Sequence, residues 1–232
     1  MMAAVAAREL VDGEVVFVGI GLPNLACNLA RRTHAPNLVL IYESGAVGAT
    51  PSRLPVSIGD PALVTGSLMV CGMADVFQLF LQNGRIEVGF LGGAQVDRLA
   101  NINTTVIGPY KRPKVRLPGS GGAAEIAIHA HRILIVAKLS PRAFPERVDF
   151  LTSPGDRVAK VITDKGVLER DAKTGELVLS ALYPGVEPAE VQAGVGWPLR
   201  ARPKLARLDP PTPIELKLLR EVLDPKRLYL GS

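Results

Sequence analysis

The run Val15-Val16-Phe17-Val18-Gly19-Ile20-Gly21-Leu22-Pro23, followed later by Leu38-Val39-Leu40-Ile41-Tyr42-Glu43-Ser44-Gly45, decides the fold class. Residues 15–20 are apolar almost throughout and rich in β-branched types, as expected of a strand buried on both faces. Gly19-Ile20-Gly21 lets the chain turn, and Pro23 suits a first helical turn, where its missing N–H is not needed. Leu25, Ala26, Leu29 and Ala30 recur at helical spacing, and Arg31 and Arg32 sit where a helix C-terminus favours cations. Ala35-Pro36-Asn37 ends that helix, and residues 38–42 read as the next strand. Strand, glycine turn, helix and strand make a βαβ unit, which implies a parallel sheet with right-handed crossovers.

The alternation continues outward from this unit. Residues 73–82 predict a helix closed by Asn83-Gly84, and 86–91 a strand closed by Gly92-Gly93. Residues 123–131 predict a helix entered from Gly119-Ser120-Gly121-Gly122, and 133–138 another buried strand. The order predicts an α/β fold, an open, mostly parallel sheet with helices on both faces. Past Pro141 the texture changes. Residues 158–163, 166–170 and 176–182 predict a small antiparallel meander. Residues 194–211, with four prolines, predict an extended arm, and Thr212-Pro213-Ile214-Glu215 is a capping box opening a C-terminal helix that runs to about residue 223. A single domain is expected over 1–232: an α/β core at 1–140, the meander and a short helix at 141–193, and the Pro-rich arm with the final helix at 194–232.

Composition narrows the function classes. The chain has 232 residues, 47% of them hydrophobic, which suffices for a buried core. Its longest apolar runs are far shorter than the ~18–20 residues of a membrane span, and the start has no basic segment ahead of its apolar residues, so a cytoplasmic location is expected. Two cysteines make neither a disulfide framework nor a cysteine zinc site. The net charge of +5 is uneven: residues 1–100 hold 6 Lys/Arg against 8 Asp/Glu, and residues 101–232 hold 21 against 14. A basic half attracts nucleic acid, a phosphorylated small molecule or an acidic partner. Nucleic acid fits poorly, because only 11 aromatic residues exist to stack bases and the basic residues are interleaved with Pro and Gly.

Two features carry chemistry. Residues 38–42 deliver Glu43 to the carboxyl edge of the sheet, where open α/β proteins bind ligands, and Ser44 and Gly45 beside it are small enough for a ligand to approach. The plain alternative for Glu43 is an exposed loop-entry carboxylate. Gly19-Ile20-Gly21, Gly92-Gly93-Ala94 and Gly121-Gly122-Ala123 end strands or open helices, and backbone N–H groups at such places bind anions or oxyanions. No Gly-x-Gly-x-x-Gly fingerprint, P-loop or Gly-x-Ser-x-Gly elbow is present, so no nucleotide cofactor is expected. His34, His129 and His131 lack i, i+4 ligand partners, so no metal is expected either. Asp60 and Asp75 read as helix caps, and Lys111, Arg112, Lys114 and Arg116 as a solvated strand face.

Gly19-Ile20-Gly21-Leu22-Pro23, Glu43-Ser44-Gly45, Gly92-Gly93-Ala94-Gln95-Val96-Asp97, Asn101-Ile102-Asn103-Thr104-Thr105 and Gly119-Ser120-Gly121-Gly122-Ala123 occur in the order seen in family I CoA transferases. Thr152-Ser153-Pro154-Gly155 and Val161-Ile162-Thr163-Asp164-Lys165-Gly166 continue the match, so nearly the whole chain resembles that family, and within it glutaconate-type β subunits. The resemblance implies that Glu43 is a nucleophile passing through an acyl anhydride to a glutamyl-CoA thioester. It also implies backbone oxyanion donors at Gly121, Gly122 and Ala123, and a substrate wall formed by Gly92, Gly93, Gln95, Ser44 and Gly45. Coenzyme A enters as substrate and the acceptor is a carboxylic acid, dicarboxylic acids included. The implied partner is a CoA transferase α subunit, in a hetero-oligomer such as α2β2 or larger, with no nucleic acid and no membrane. Two other readings stand beside this one: a subunit of a steroid-ring-opening CoA-ester hydrolase, and a non-catalytic binding or scaffolding subunit.

Overall fold

A computed structural model describes residues 1–51 and 53–231. The helices, in chain order, are α1 (Met2–Arg8), α2 (Leu22–Arg31), α3 (Met73–Asp75), α4 (Ala123–His129), α5 (Pro188–Gln192) and α6 (Pro213–Lys217). The strands are β1 (Val15–Phe17), β2 (Val39–Ile41), β3 (Ala46–Val47), β4 (Met69–Val70), β5 (Val88–Leu91), β6 (Gln95–Val96), β7 (Ile102–Asn103), β8 (Val106–Ile107), β9 (Val115–Arg116), β10 (Arg132–Val136), β11 (Val158–Ile162), β12 (Gly166–Arg170), β13 (Leu177–Leu182) and β14 (Ala201–Arg207). The chain divides into two compact units: residues 1–90 with 129–131 and the segment from 211 onward, and residues 91–128 with 132–210. The C-terminal helix, in the segment from 211 onward, belongs to the first unit.

In the first unit the hydrogen-bonded order is β5-β1-β2-β3-β4. β1 pairs in parallel with both β2 and β5, with Val15 opposite Val39 and Val16 opposite Val88. That is the expected βαβ core, and each strand is shorter at its ends than its apolar run. β2, β3 and β4 then run antiparallel. Helix α2 buries Leu25, Ala26, Leu29 and Ala30 completely, and each leucine taken from water contributes ~1.5–3 kcal/mol. Helix α1, about two Ala-rich turns with Ala3–Ala7 buried, packs against α2. It was not foreseen from the sequence. The capping box at α6 forms as expected, Glu215 N–H donating to Thr212 Oγ1 at 3.2 Å and Thr212 N–H to Glu215 Oε2 at 2.7 Å. Arg8 Nε bonds the same glutamate at 3.0 Å and so ties α1 to α6.

In the second unit the order is β14-β13-β12-β11-β10. β10 and β11 are parallel, and β11-β12-β13 form the expected antiparallel meander. The expected extended arm needs correction: residues 201–207 are an edge strand parallel to β13. Its register slips between Ala201, opposite Leu179, and Ala206, opposite Ala181, which puts Pro203 in the irregular stretch. A proline is tolerated there because it owes no N–H to the ladder. Two small antiparallel pairs, β6 with β7 and β8 with β9, complete the unit. Among the described residues, no helix is long and apolar enough to cross a membrane.

Candidate active site

β2 ends at Ile41, and the chain reverses through Glu43-Ser44-Gly45 into β3. Gly45 N–H donates to the Tyr42 carbonyl at 2.9 Å, and Tyr42 N–H to the Ala46 carbonyl at 3.0 Å. This is a three-residue hairpin loop, a tight turn followed by a glycine at positive φ, here +105°. Glu43 occupies the first turn position, half-buried, with Ser44 exposed and Gly45 buried. The turn is clamped from β4: Cys71 N–H donates to the Gly45 carbonyl at 3.0 Å and Cys71 Sγ to the same oxygen at 3.5 Å. A Cβ on Gly45 would run into the Cys71 carbonyl oxygen. Burial, and then Asp75, push the Cys71 thiol up, so it is a neutral neighbour.

Among the described residues, the Glu43 carboxylate has no hydrogen-bond or ion-pair partner. Asp60 and Asp75, in the same unit, are engaged. Asp60 bonds Arg53 through both oxygens at 2.7 and 2.8 Å and caps the short 3₁₀ turn Pro61–Val64, and Asp75 accepts from Gly72 N–H at 3.0 Å. Both therefore cap, as expected. Glu43 is a carboxylate on a fixed backbone with its oxygens uncommitted, which is what a nucleophile requires.

The second unit collects the other glycine segments. Ala94 N–H donates to the Asn103 carbonyl at 2.9 Å, joining the Gly92-Gly93 turn to β7. The next residue, Thr104, donates its hydroxyl to the Gly119 carbonyl at 2.7 Å and accepts from Gly119 N–H on its own carbonyl at 2.8 Å. Thr152 Oγ1 reaches both Thr104 N–H, at 3.0 Å, and Thr105 Oγ1, at 2.7 Å. The Asn101–Thr105 and Thr152–Gly155 stretches, which carried no chemical role in the sequence, thus hold the two glycine turns in one loop cluster. Their signal in the sequence was the family resemblance that both stretches carry, which assigned them no role.

Two expected site residues are otherwise engaged. Gln95 is buried, and its amide is spent inside the cluster: Oε1 accepts from Asn103 Nδ2 at 2.7 Å and from Asp149 N–H at 3.0 Å, and Nε2 donates to Asp149 Oδ2 at 3.2 Å. Its position is that of a scaffold under the loops. Ala123 N–H donates to the Ser120 carbonyl at 2.9 Å as α4 begins, so it is not available to an oxyanion. Gly121 and Gly122 N–H have no partner among the described residues, and Gly92, Gly93 and Gly121 lie exposed. The basic run 111–116 is solvated as expected, with Arg116 laid over the Tyr110 ring at 4.9 Å. No group of three or more His, Cys, Asp or Glu that could hold a metal occurs among the described residues.

Comparison with known proteins places the chain in a family. A family model described as coenzyme A transferase matches residues 1–194. The chain is 47% identical to the B-type subunit of 3-oxoadipate CoA-transferase from Pseudomonas knackmussii, over 95% of this chain and 90% of that protein. It is 34% identical to the B-type subunit of glutaconate CoA-transferase from Acidaminococcus fermentans, over 99% and 93%. The crystal structure of the Acidaminococcus fermentans glutaconate enzyme superposes with a TM-score of 0.92 at 33% identity, covering 100% of this chain and 96% of that one. Of the two curated relatives, the 3-oxoadipate protein is the more similar.

Proposed function

The chain belongs to the coenzyme A transferase family as the B-type subunit of a two-subunit enzyme, and from that premise we propose that Glu43 is its nucleophile and dicarboxylates its acids. The observation carrying the proposal is the uncommitted, half-buried Glu43 carboxylate on a turn locked by Tyr42, Ala46 and Cys71. A Glu43 oxygen attacks the acyl-CoA carbonyl carbon, the tetrahedral oxyanion collapses, and the carbon–sulfur bond breaks to give an acyl–glutamyl anhydride and CoA thiolate. The thiolate attacks the Glu43 carbonyl, expels the first carboxylate and leaves a glutamyl-CoA thioester. The second carboxylate then takes CoA by the reverse steps. A thioester is exchanged for a thioester, so the chemistry is nearly balanced. The anhydride is high in energy, and binding of the remote CoA body has to stabilise the path to it.

Gly121 and Gly122 N–H are the oxyanion donors in this reading, and loss of one such donor typically costs ~2.7–4 kcal/mol in barrier. The family resemblance assigns substrate contacts to Ser44 and Gly45 in the first unit and to Gly92 and Gly93 in the second. The acids named by the two relatives, 3-oxoadipate and glutaconate, both carry two carboxylates, which supports a dicarboxylate substrate here. Both relatives are transferase subunits, which favours transfer over ring-opening hydrolysis. The free thiols Cys27 and Cys71 support a reducing, cytoplasmic setting.

The test uses the complex with its companion subunit. Treatment with acyl-CoA followed by borohydride or hydroxylamine should inactivate the enzyme and mark the peptide holding Glu43. Glu43→Ala should lower turnover by about 10³-fold or more. Full activity in that variant, or a mark on another peptide, overturns the assignment.

A further inference from the structure

Directly behind the Glu43 turn, the apolar interior of the first unit holds a chain of polar side chains that the mechanism does not use. Asn24 and Asn28, on successive turns of α2, are 0% and 3% exposed, and Tyr42 is 0% exposed. Asn24 Nδ2 donates to Tyr42 Oη at 2.7 Å, and Asn28 Nδ2 donates to Asn24 Oδ1 at 2.8 Å and to the Asn24 carbonyl at 3.0 Å. Neither asparagine caps the helix, which starts at Gly21 without a side-chain cap. Their amides serve each other and the phenol. Buried amides are costly unless bonded, and a connected set of them fixes side-chain positions rather than adding cohesion.

Tyr42 is the residue from which the Glu43 turn springs, and both its backbone groups close that turn. Any rotation at Tyr42 therefore moves Glu43. The far side of the turn is held by the backbone of Cys71; on the near side, beyond the backbone bonds of Tyr42 itself, the Tyr42 ring adds a side-chain tie to α2. A phenylalanine would fill nearly the same volume without the link to α2. Burial, together with the neighbouring Cys27 thiol, raises the Tyr42 phenol well above its ordinary range, so the hydroxyl stays protonated at working pH.

We infer that Asn24, seated by Asn28, is a positioning residue that holds Tyr42 and so aims Glu43 at the acyl carbonyl. The inference rests on Glu43 being the nucleophile. Misplacing a reacting group by about 1 Å can cost about 10²-fold in rate, and CoA contacts made elsewhere would not feel the change.

In the assembled two-subunit enzyme, Tyr42→Phe and Asn24→Leu should slow formation of the Glu43–CoA adduct and lower kcat by about 10–100-fold, with KM for acyl-CoA within about two-fold of the parent. Asn24→Asp, which can accept from the phenol and from Asn28, should recover most of the rate. Adduct formation at the parent rate in Tyr42→Phe and Asn24→Leu overturns the inference. So does failure of Tyr42→Phe to fold or assemble, which would make the network a requirement of the core alone. Absence of any Glu43 adduct in the parent enzyme is a different result, and it removes the nucleophile reading instead.

Discussion

Gly45 and Gly21 both have φ near +100°, yet they differ in what surrounds them. At Gly21, φ +92°, an added Cβ meets nothing within 4 Å, whereas at Gly45 it meets the Cys71 carbonyl, a backbone atom that cannot swing aside. Gly21→Ala should therefore cost only the penalty of a positive-φ, extended backbone that is almost glycine-only, about 1–3 kcal/mol. Gly45→Ala should cost about 3 kcal/mol or more and disturb β3 and β4 as well. Urea unfolding of the two variants checks this, and equal midpoints would mean that the Cys71 clamp yields. Glu43 stood out in the sequence because an apolar run ended in an acid. The Asn24–Asn28–Tyr42 link was not, since asparagines on a helix carry no sign of which face they occupy.

Elements whose sequence period matched a simple template were read well, and those governed by non-local bonding were not. β1, α2 and β2 follow directly from apolar runs and a glycine turn. Strand β14 escaped because its residues are mostly exposed and interrupted by Pro203, so only pairing with β13 makes it a strand. The continuations of α3 and α6, Val76–Leu81 and Leu218–Leu223, are wound as π-turns, with Gln82 N–H donating to the Phe77 carbonyl and Asp224 N–H to the Leu219 carbonyl. Apolar spacing over six residues does not separate that winding from an α-helix. The loop carrying the 3₁₀ turn Pro61–Val64 offers a test by pH. Hydrogen bonds from Arg53, then from Val56 and Ala62 N–H, hold the Asp60 carboxyl far below the usual carboxylate range. A carboxyl depressed in the folded state lends stability that is complete above its unfolded value of about 4 and is lost as pH falls through the folded one. Acid unfolding followed by circular dichroism should thus show a contribution from this loop disappearing below about pH 4, and Asp60→Asn should remove that contribution. An unchanged acid transition in Asp60→Asn would assign the acid sensitivity elsewhere.

Across the whole molecule the charge is split: an excess of two acids in the first hundred residues, and an excess of seven bases in the remainder. Between Arg53 and Asp75 the chain carries only one charged side chain, Asp60, and that one is buried against Arg53. The stretch containing the clamp on Glu43 therefore contributes almost no net field, and within this chain long-range attraction for a polyanion such as CoA comes from the basic part. Such steering acts over about 10 Å at 0.1 M salt and fades as ionic strength rises. KM for acyl-CoA should accordingly rise several-fold between about 0.05 and 0.5 M salt, while kcat, if Glu43 is the nucleophile as proposed, changes little. Initial rates across a salt series at constant pH separate the two. A KM that stays flat would place the CoA phosphates on the companion subunit, and a kcat that falls in parallel would mean that salt disturbs assembly rather than substrate capture.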